Sequence, residues 1–233
     1  MSDSATPGAK AVIFDCDGVL VDSERLAAPI LAETLTDLGL PTSAADVDRD
    51  FKGRSWEHGL GVIRARRGGE EPWPELRERY RTALFAAFHA RLQPIAGVME
   101  ALDALDDAGI PRCVASSGDH ERIRRGLRAA GLLGRFPEGA IFSVDDVANG
   151  KPAPDLFLHA AARMGVAPAR ALAIEDSVTG VTAARAAGMT VFGFAGGGHC
   201  GPRHDERLRA AGAALVFTDM AELPGLVASR GAA

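Results

Sequence analysis

Short, unbroken apolar runs alternate with helical stripes over most of this chain, and one stretch breaks the alternation. Ala11-Val12-Ile13-Phe14 is apolar throughout and stops at Asp15-Cys16-Asp17-Gly18. A run without a polar face reads as a strand covered on both sides, as in a parallel sheet, that ends in a polar turn. Downstream of Gly97 the same kind of run recurs between helices. Val98, Leu102 and Leu105 stripe a helix closed by Gly109 and Pro111, after which Cys113-Val114-Ala115 runs into Ser116-Ser117-Gly118. A helix carrying Ile123, Leu127 and Ala130 ends at Gly131, and Ala140-Ile141-Phe142 reads as a strand. The spacing then predicts a helix over Leu156 to Met164, a strand at Leu172-Ala173-Ile174 ending in Glu175-Asp176, and a helix over Val178 to Ala187. Val191 to Phe194 and Leu215 to Phe217 supply two more strands. Such βαβα alternation implies an α/β fold, a parallel sheet with helices on both faces and right-handed crossovers.

Between the first strand and Gly97 the period is helical only. Leu26, Ile30, Leu31, Leu35 and Leu38 stripe one helix, with Gly39 at its end and Pro41 beyond. Leu76, Tyr80, Leu84, Phe88 and Leu92 stripe another, and Ser55 to Arg67 reads as a third. A helical block inserted after the first strand reads as a second small domain able to act as a lid; the alternative is that these helices extend the main core.

Composition narrows this picture. With 233 residues and 47% hydrophobic content the chain can bury a sizeable core, and roughly 100 to 200 residues per domain allows one large domain or a main domain with a smaller insertion. A formal charge of -5 argues against nucleic acid as the partner, because phosphate-backbone affinity needs excess Lys and Arg. Cys16, Cys113 and Cys200 are odd in number and widely separated, so no disulfide framework is legible. No apolar run is long enough to span a bilayer, and the first ten residues have no apolar core of a signal peptide, so a cytoplasmic protein without a membrane partner is expected. Oligomeric state is not encoded legibly; a monomer suffices.

The chemistry gathers at strand ends. Asp15 and Asp17 follow the first strand, Ser116 the second, and Glu175 and Asp176 a later one. In open parallel sheets ligands sit outside the carboxyl ends of the strands, so these groups should converge. Clustered carboxylates repel one another unless a cation neutralises them, and hard oxygen donors without His or Cys call for Mg²⁺. Such a site suits phosphoryl transfer on a small phosphate ester. Asp15 is the expected nucleophile, and Asp17 the group that protonates the leaving alcohol and later activates water. Ser116, read equally as a helix N-cap, should hold phosphoryl oxygens together with the amides of Ser117 and Gly118. Lys151, in Gly150-Lys151-Pro152, supplies positive charge from a loop that Pro152 restricts. No Walker-type phosphate loop occurs.

Phe14-Asp15-Cys16-Asp17-Gly18-Val19-Leu20-Val21-Asp22-Ser23-Glu24 resembles the first motif of the haloacid dehalogenase superfamily, in the branch containing phosphoglycolate phosphatase and β-phosphoglucomutase. Val114 to Ser117 is similar to its second motif, Gly150-Lys151-Pro152-Ala153-Pro154-Asp155 to the third, and Ile174 to Ser177 with Gly180 to the fourth. The resemblance implies a Rossmann-like core over 11–24 and 96–233, a helical cap over 25–95, and a flexible extension over 1–10. It further implies an Mg²⁺-dependent aspartyl-phosphate mechanism. Asp15 and Asp176 then ligate the metal through side chains and Asp17 through its carbonyl, with Glu175 as ligand or orienting acid. Asp17 argues against the dehalogenases and phosphonoacetaldehyde hydrolases, which lack it. Lys52 and Arg54, in Phe51-Lys52-Gly53-Arg54-Ser55, resemble a cap loop that reads substrate, and Glu24 lies at the cap hinge. The local pattern is closer to small sugar-phosphate phosphatases, including the 6-phosphogluconate type, than to the mutases, which carry a His where Ala27 stands here. A mutase is the first alternative and a non-catalytic binding module the second.

Other conspicuous residues receive structural readings. Asp155 and Ser177 are taken as caps or supports. His199, Cys200 and His204 invite zinc, but no second ligand pair at a recognised spacing accompanies them, so a Gly-rich loop is expected. Arg64, Arg66 and Arg67, and likewise Arg122, Arg124, Arg125 and Arg128, read as solvated helix faces. Trp56 and Trp73 are assigned to the helical block, and Cys16 to packing.

Overall fold

The computed structural model describes residues 10–51, 56–67 and 73–231. Lys52, Arg54 and the expected extension, apart from Lys10, lie outside the described residues, as do the side chains of Trp56 and Trp73. The chain divides into two compact units, Met1–Asp22 with Gln93–Ala233, and Ser23–Leu92.

The first unit is built on a parallel sheet of β1 (Ala11–Phe14), β2 (Arg112–Ser116), β3 (Ile141–Ser143), β4 (Ala171–Glu175), β5 (Thr190–Phe194) and β6 (Leu215–Phe217). Their order is β3-β2-β1-β4-β5-β6, with every neighbour parallel. This is the Rossmann-like order, and its direction reverses between β1 and β4. The apolar runs read as strands because they are: β1, β2, β3 and β4 are buried at every position.

The second unit is helical. It contains α1 (Glu24–Asp37), α2 (Ala44–Phe51), α3 (Trp56–Arg67) and α4 (Trp73–Arg91). Leu31, Ala32 and Leu35 of α1 meet Val47, Ile63 and Leu76 from the other three helices in one apolar cluster. The short helix α2 was not expected from periodicity, since Val47 and Phe51 are its only large apolar residues. Its start is set instead by a reciprocal cap. The Ser43 hydroxyl accepts from the Asp46 amide at 3.1 Å, and the Asp46 carboxylate accepts from the Ser43 amide at 3.0 Å.

The remaining helices belong to the sheet unit: α5 (Val98–Asp107), α6 (His120–Ala129), α7 (Asp155–Arg163), α8 (Val178–Ala186), α9 (His204–Ala210) and α10 (Leu223–Gly231). The last two were not anticipated. Register explains the packing. Ile13 pairs with both Cys113 and Ala173, and Ala173 with Val191, so one row crosses four strands on a single face. That row packs against Leu156, Phe157, Ala160 and Ala161 of α7 and Val181, Ala183 and Ala184 of α8. Large members such as Leu156 and Phe157 each contribute about 1.5–3 kcal/mol through burial. The alanines leave room for the helices to lie close to the strands.

Candidate active site

Two strand ends flank the reversal in sheet order, where open parallel sheets bind ligands. Phe14 pairs with Ile174, and continuing that register one residue sets Asp15 beside Glu175; the Asp15 amide donates to the Ile174 carbonyl at 3.0 Å. Lys151, from the loop before α7, fills the gap. Its ammonium donates to Asp15 Oδ1 at 2.7 Å, Glu175 Oε1 at 2.5 Å and the Ala115 carbonyl at 3.0 Å. It also lies 4.9 Å from the Phe157 ring centroid. All three of its protons are thereby used, so it is a fixed charge, not a flexible surface lysine.

Glu175 is fully buried, and its other oxygen accepts from the Ser177 amide at 3.1 Å and hydroxyl at 2.9 Å. Ser177 in turn caps α8 by accepting from the Gly180 amide at 2.9 Å. A Cβ on Gly180 would fall 1.8 Å from Glu175 Oε1, so only glycine fits there. Asp155, the other residue taken as a cap or support, opens α7 and accepts from Asn149 Nδ2 at 3.0 Å.

Asp176 completes the acidic group. One carboxylate oxygen from each of Asp15, Glu175 and Asp176 lies within 4.8 Å of the others. Burial, reinforced by the charges of Glu175 and Asp176 and opposed by Lys151, holds the Asp15 carboxyl well above its ordinary value. Burial alone would depress Lys151, but Asp15 and Glu175 outweigh it and hold its ammonium above the usual range. The donor set is hard oxygen throughout, and its chemistry fits a divalent cation such as Mg²⁺.

Asp17 sits in a tight turn after β1, where the Leu20 and Val21 amides donate to the Cys16 carbonyl at 2.9 and 3.1 Å. Gly18 within it has φ 82°, and a Cβ there would lie 2.1 Å from Asp176 Oδ2. The Asp17 carboxylate accepts a bidentate pair from Arg122 Nε and Nη2, both at 3.1 Å. Arg122 was assigned to a solvated face, and the structure corrects that. Its neighbours Arg124, Arg125 and Arg128 are exposed, while Arg122 turns inward from the first turn of α6. Cys16, between the two aspartates, is buried.

Ser116 ends β2 and is buried, but it does not cap α6. Asp119 does, accepting from the Arg122 amide at 2.7 Å. The Gly118 amide instead donates to Ser116 Oγ at 3.1 Å, and the Gly118 carbonyl accepts from Ser143 Oγ at 2.8 Å. Ser117 is exposed. Glu24 opens α1 in the helical unit.

The loop expected to be plain joins the acidic group. His199 Nε2 lies 2.7 Å from Asp176 Oδ2, and His204 Nε2 donates to the Asp176 carbonyl at 2.6 Å. Burial alone would lower His199, but the bond to Asp176 outweighs it and raises the imidazole to about 10. Burial pushes the Cys200 thiol up, and hydrogen bonds with His199 and His204 more than reverse this, to about 7.

A family model of the haloacid dehalogenase-like hydrolases matches residues 9–188. The chain belongs to this family. It is 30% identical over 222 residues to 6-phosphogluconate phosphatase of Escherichia coli K12, covering 95% of this chain and 96% of the relative. It is also 32% identical over 196 residues to β-phosphoglucomutase of Bacillus subtilis 168, covering 81% and 84%. Among solved structures, a haloacid dehalogenase family hydrolase from Deinococcus radiodurans R1 with bound phosphate and sodium superposes with a TM-score of 0.79 at 35% identity, covering 98% of each chain. The protein is thus a hydrolase of that family with its Rossmann-like sheet, and no described helix is long and apolar enough to cross a membrane.

Proposed function

We propose that the protein is a cytoplasmic Mg²⁺-dependent phosphatase acting on a small phosphorylated metabolite, a sugar, sugar-acid or polyol phosphate. The observation that carries this reading is the joining of Asp15 to Glu175 through Lys151, with Asp176 in the same acidic group, at the reversal of the sheet. The named activity of the 6-phosphogluconate phosphatase relative supports the substrate class. The three free cysteines suit a reducing compartment.

Asp15 and Asp176 would hold the metal through carboxylates and Asp17 through its carbonyl. Glu175, with both oxygens engaged by Lys151 and Ser177, is assigned to orienting that lysine. When bound, Mg²⁺ supplies positive charge that neutralises the acidic group and the phosphoryl oxygens. A carboxylate oxygen of Asp15 attacks phosphorus, forming an O–P bond as the bond to the leaving alkoxide breaks. Asp17 gives that alkoxide its proton. The Asp17 carboxylate then takes a proton from water, whose oxygen attacks the aspartyl-phosphate and releases inorganic phosphate and Asp15. Ser116 holds phosphoryl oxygens, with Ser117 and Gly118 beside it, and Lys151 supplies fixed positive charge next to Asp15. The inserted helical unit is assigned substrate selection, with Glu24, Lys52 and Arg54 as its contributors.

The β-phosphoglucomutase relative favours a second reading, intramolecular phosphoryl transfer, and Ala27 counts against it. The test is phosphate release from a panel of sugar, sugar-acid and polyol phosphates and phosphoglycolate, with Mg²⁺ or chelator, using Asp15→Asn as the blank. Metal-dependent release focused on one class is expected. Conversion of β-glucose 1-phosphate to the 6-phosphate without release would establish the mutase instead.

A further inference from the structure

We infer that His199, Cys200 and His204 form a second metal site, one that takes a thiophilic divalent cation of the Zn²⁺ type, distinct in chemistry from the carboxylate group. Two backbone turns bring the three side chains together. The Cys200 amide donates to the Gly197 carbonyl at 2.9 Å, and the His204 amide to the Gly201 carbonyl at 3.2 Å, with Arg203 between them at φ 62°. One donor atom from each of the three side chains consequently lies within 4.8 Å of the other two. Cys200 Sγ is 3.6 Å from His199 Nε2, and the imidazoles meet edge to face with centroids 5.9 Å apart.

The donor set decides the ion. Thiolate and imidazole are the ligands of Zn²⁺, and three protein ligands leave a fourth position for water or an oxygen donor. Mg²⁺ prefers oxygen ligands and has little claim on such a set.

The surroundings fit as well. His204 donates its Nε2 proton to the Asp176 carbonyl at 2.6 Å, which makes Nδ1 the lone-pair nitrogen. An outer hydrogen bond of this kind fixes the tautomer of metal-binding imidazoles. Arg207 Nη2 contacts Nδ1 at 3.1 Å, but Arg207 is exposed and free to swing into water. His199 Nε2 lies 2.7 Å from Asp176 Oδ2, so the soft donors adjoin the hard ones, and this contact yields when the imidazole ligates through Nε2.

Cobalt reports the ligands directly, independently of turnover. Co²⁺ is added to the chelator-stripped full-length protein in excess Mg²⁺, which fills the carboxylate group. The expected spectrum has a near-ultraviolet thiolate-to-cobalt band and intense visible bands of low coordination number, saturating at a single equivalent and abolished by Zn²⁺. Cys200→Ser, a conservative change in a half-buried loop, should remove the thiolate band and weaken Co²⁺ binding by about tenfold or more. Absence of a thiolate band in the unaltered protein overturns the assignment, and so does a band that persists in Cys200→Ser.

Discussion

Asp15, Glu175, Asp176, Arg112 and His204 are buried in the sheet unit, whereas the buried polar residues described in the helical unit are Ser23 and Thr34. The Thr34 hydroxyl bonds its own helix, to the Ile30 carbonyl at 2.7 Å, and asks nothing of its neighbours. The two interiors therefore answer to different constraints. Removing an ionised carboxylate from water costs several kcal/mol even after relaxation, and the sheet unit buries three carboxyl groups together, two on Lys151 and the third beside His199. Hydrophobic packing would be the more stable filling, so the charges are read as serving chemistry. The helical cluster of Leu31, Leu35, Val47, Ile63 and Leu76 serves packing alone.

The largest test of that contrast is Asp15→Asn. Loss of the nucleophile should lower turnover on the order of 10⁴-fold or more, while the amide oxygen still accepts from Lys151. Stability should hold or rise in chelator. A carboxyl whose folded pKa is raised above its ordinary 3.8 binds its proton better when folded, so its ionisation removes stability as pH climbs from 3.8 through the folded value. Neutral pH lies above 3.8, so that loss bears on Asp15 there and is absent for Asn. Thermal melts with and without Mg²⁺ check this; full turnover, or a collapsed melt, would sink the assignment.

Leu35→Ala probes the other interior. Leu35 is 2% exposed, and truncation should destabilise the helical unit by about 2–5 kcal/mol. Urea unfolding followed by circular dichroism reads the shift, and phosphate release per folded molecule should retain its dependence on Asp15. An unchanged urea midpoint would mean that the cluster does not hold the unit together.

Arg122→Ala asks whether the charged interior needs its cations individually. Hydrogen bonds to a charged group contribute about 1.5–3 kcal/mol, so loss of the pair on Asp17 should cost about 10- to 100-fold in kcat, with less change in KM. Arg122→Lys should recover only part, because an ammonium cannot make the bidentate contact. Equal activity in all three proteins would reduce the pair to a surface ornament.

How much of this was legible follows from where each signal lies. The strands were, because a run buried on both faces has no polar position to disguise it; only their ends drifted, where Arg112, Ser143 and Thr190 belong to strands despite their polarity. The carboxylates were legible because each directly follows such a run. Helix α2 carried its signal in Ser43 and Asp46 instead of an apolar stripe, and α9, seven residues of mostly charged sequence, carried none. Arg122 was hidden among arginines that do face water, 105 positions from its partner. The gathering of His199, Cys200 and His204 was not legible for a related reason: ligand spacing along a chain does not reveal two turns that close it.

That loop supplies the smallest and most local prediction, which asks how far the charged character of the sheet unit extends. Burial would raise the Cys200 thiol, but its hydrogen bonds with His199 and His204 bring it down to about 7 from an ordinary 9.0. Cys113, fully buried without such partners, is pushed up to about 12. The thiolate is the form that alkylates. In chelator, iodoacetamide labelling of Cys200 should therefore rise with a midpoint near pH 7 and level off above it, while Cys113 stays unlabelled until the protein unfolds. A Cys200 midpoint near 9 would mean that the imidazoles exert no pull on the thiol, and the charged region would end at Asp176.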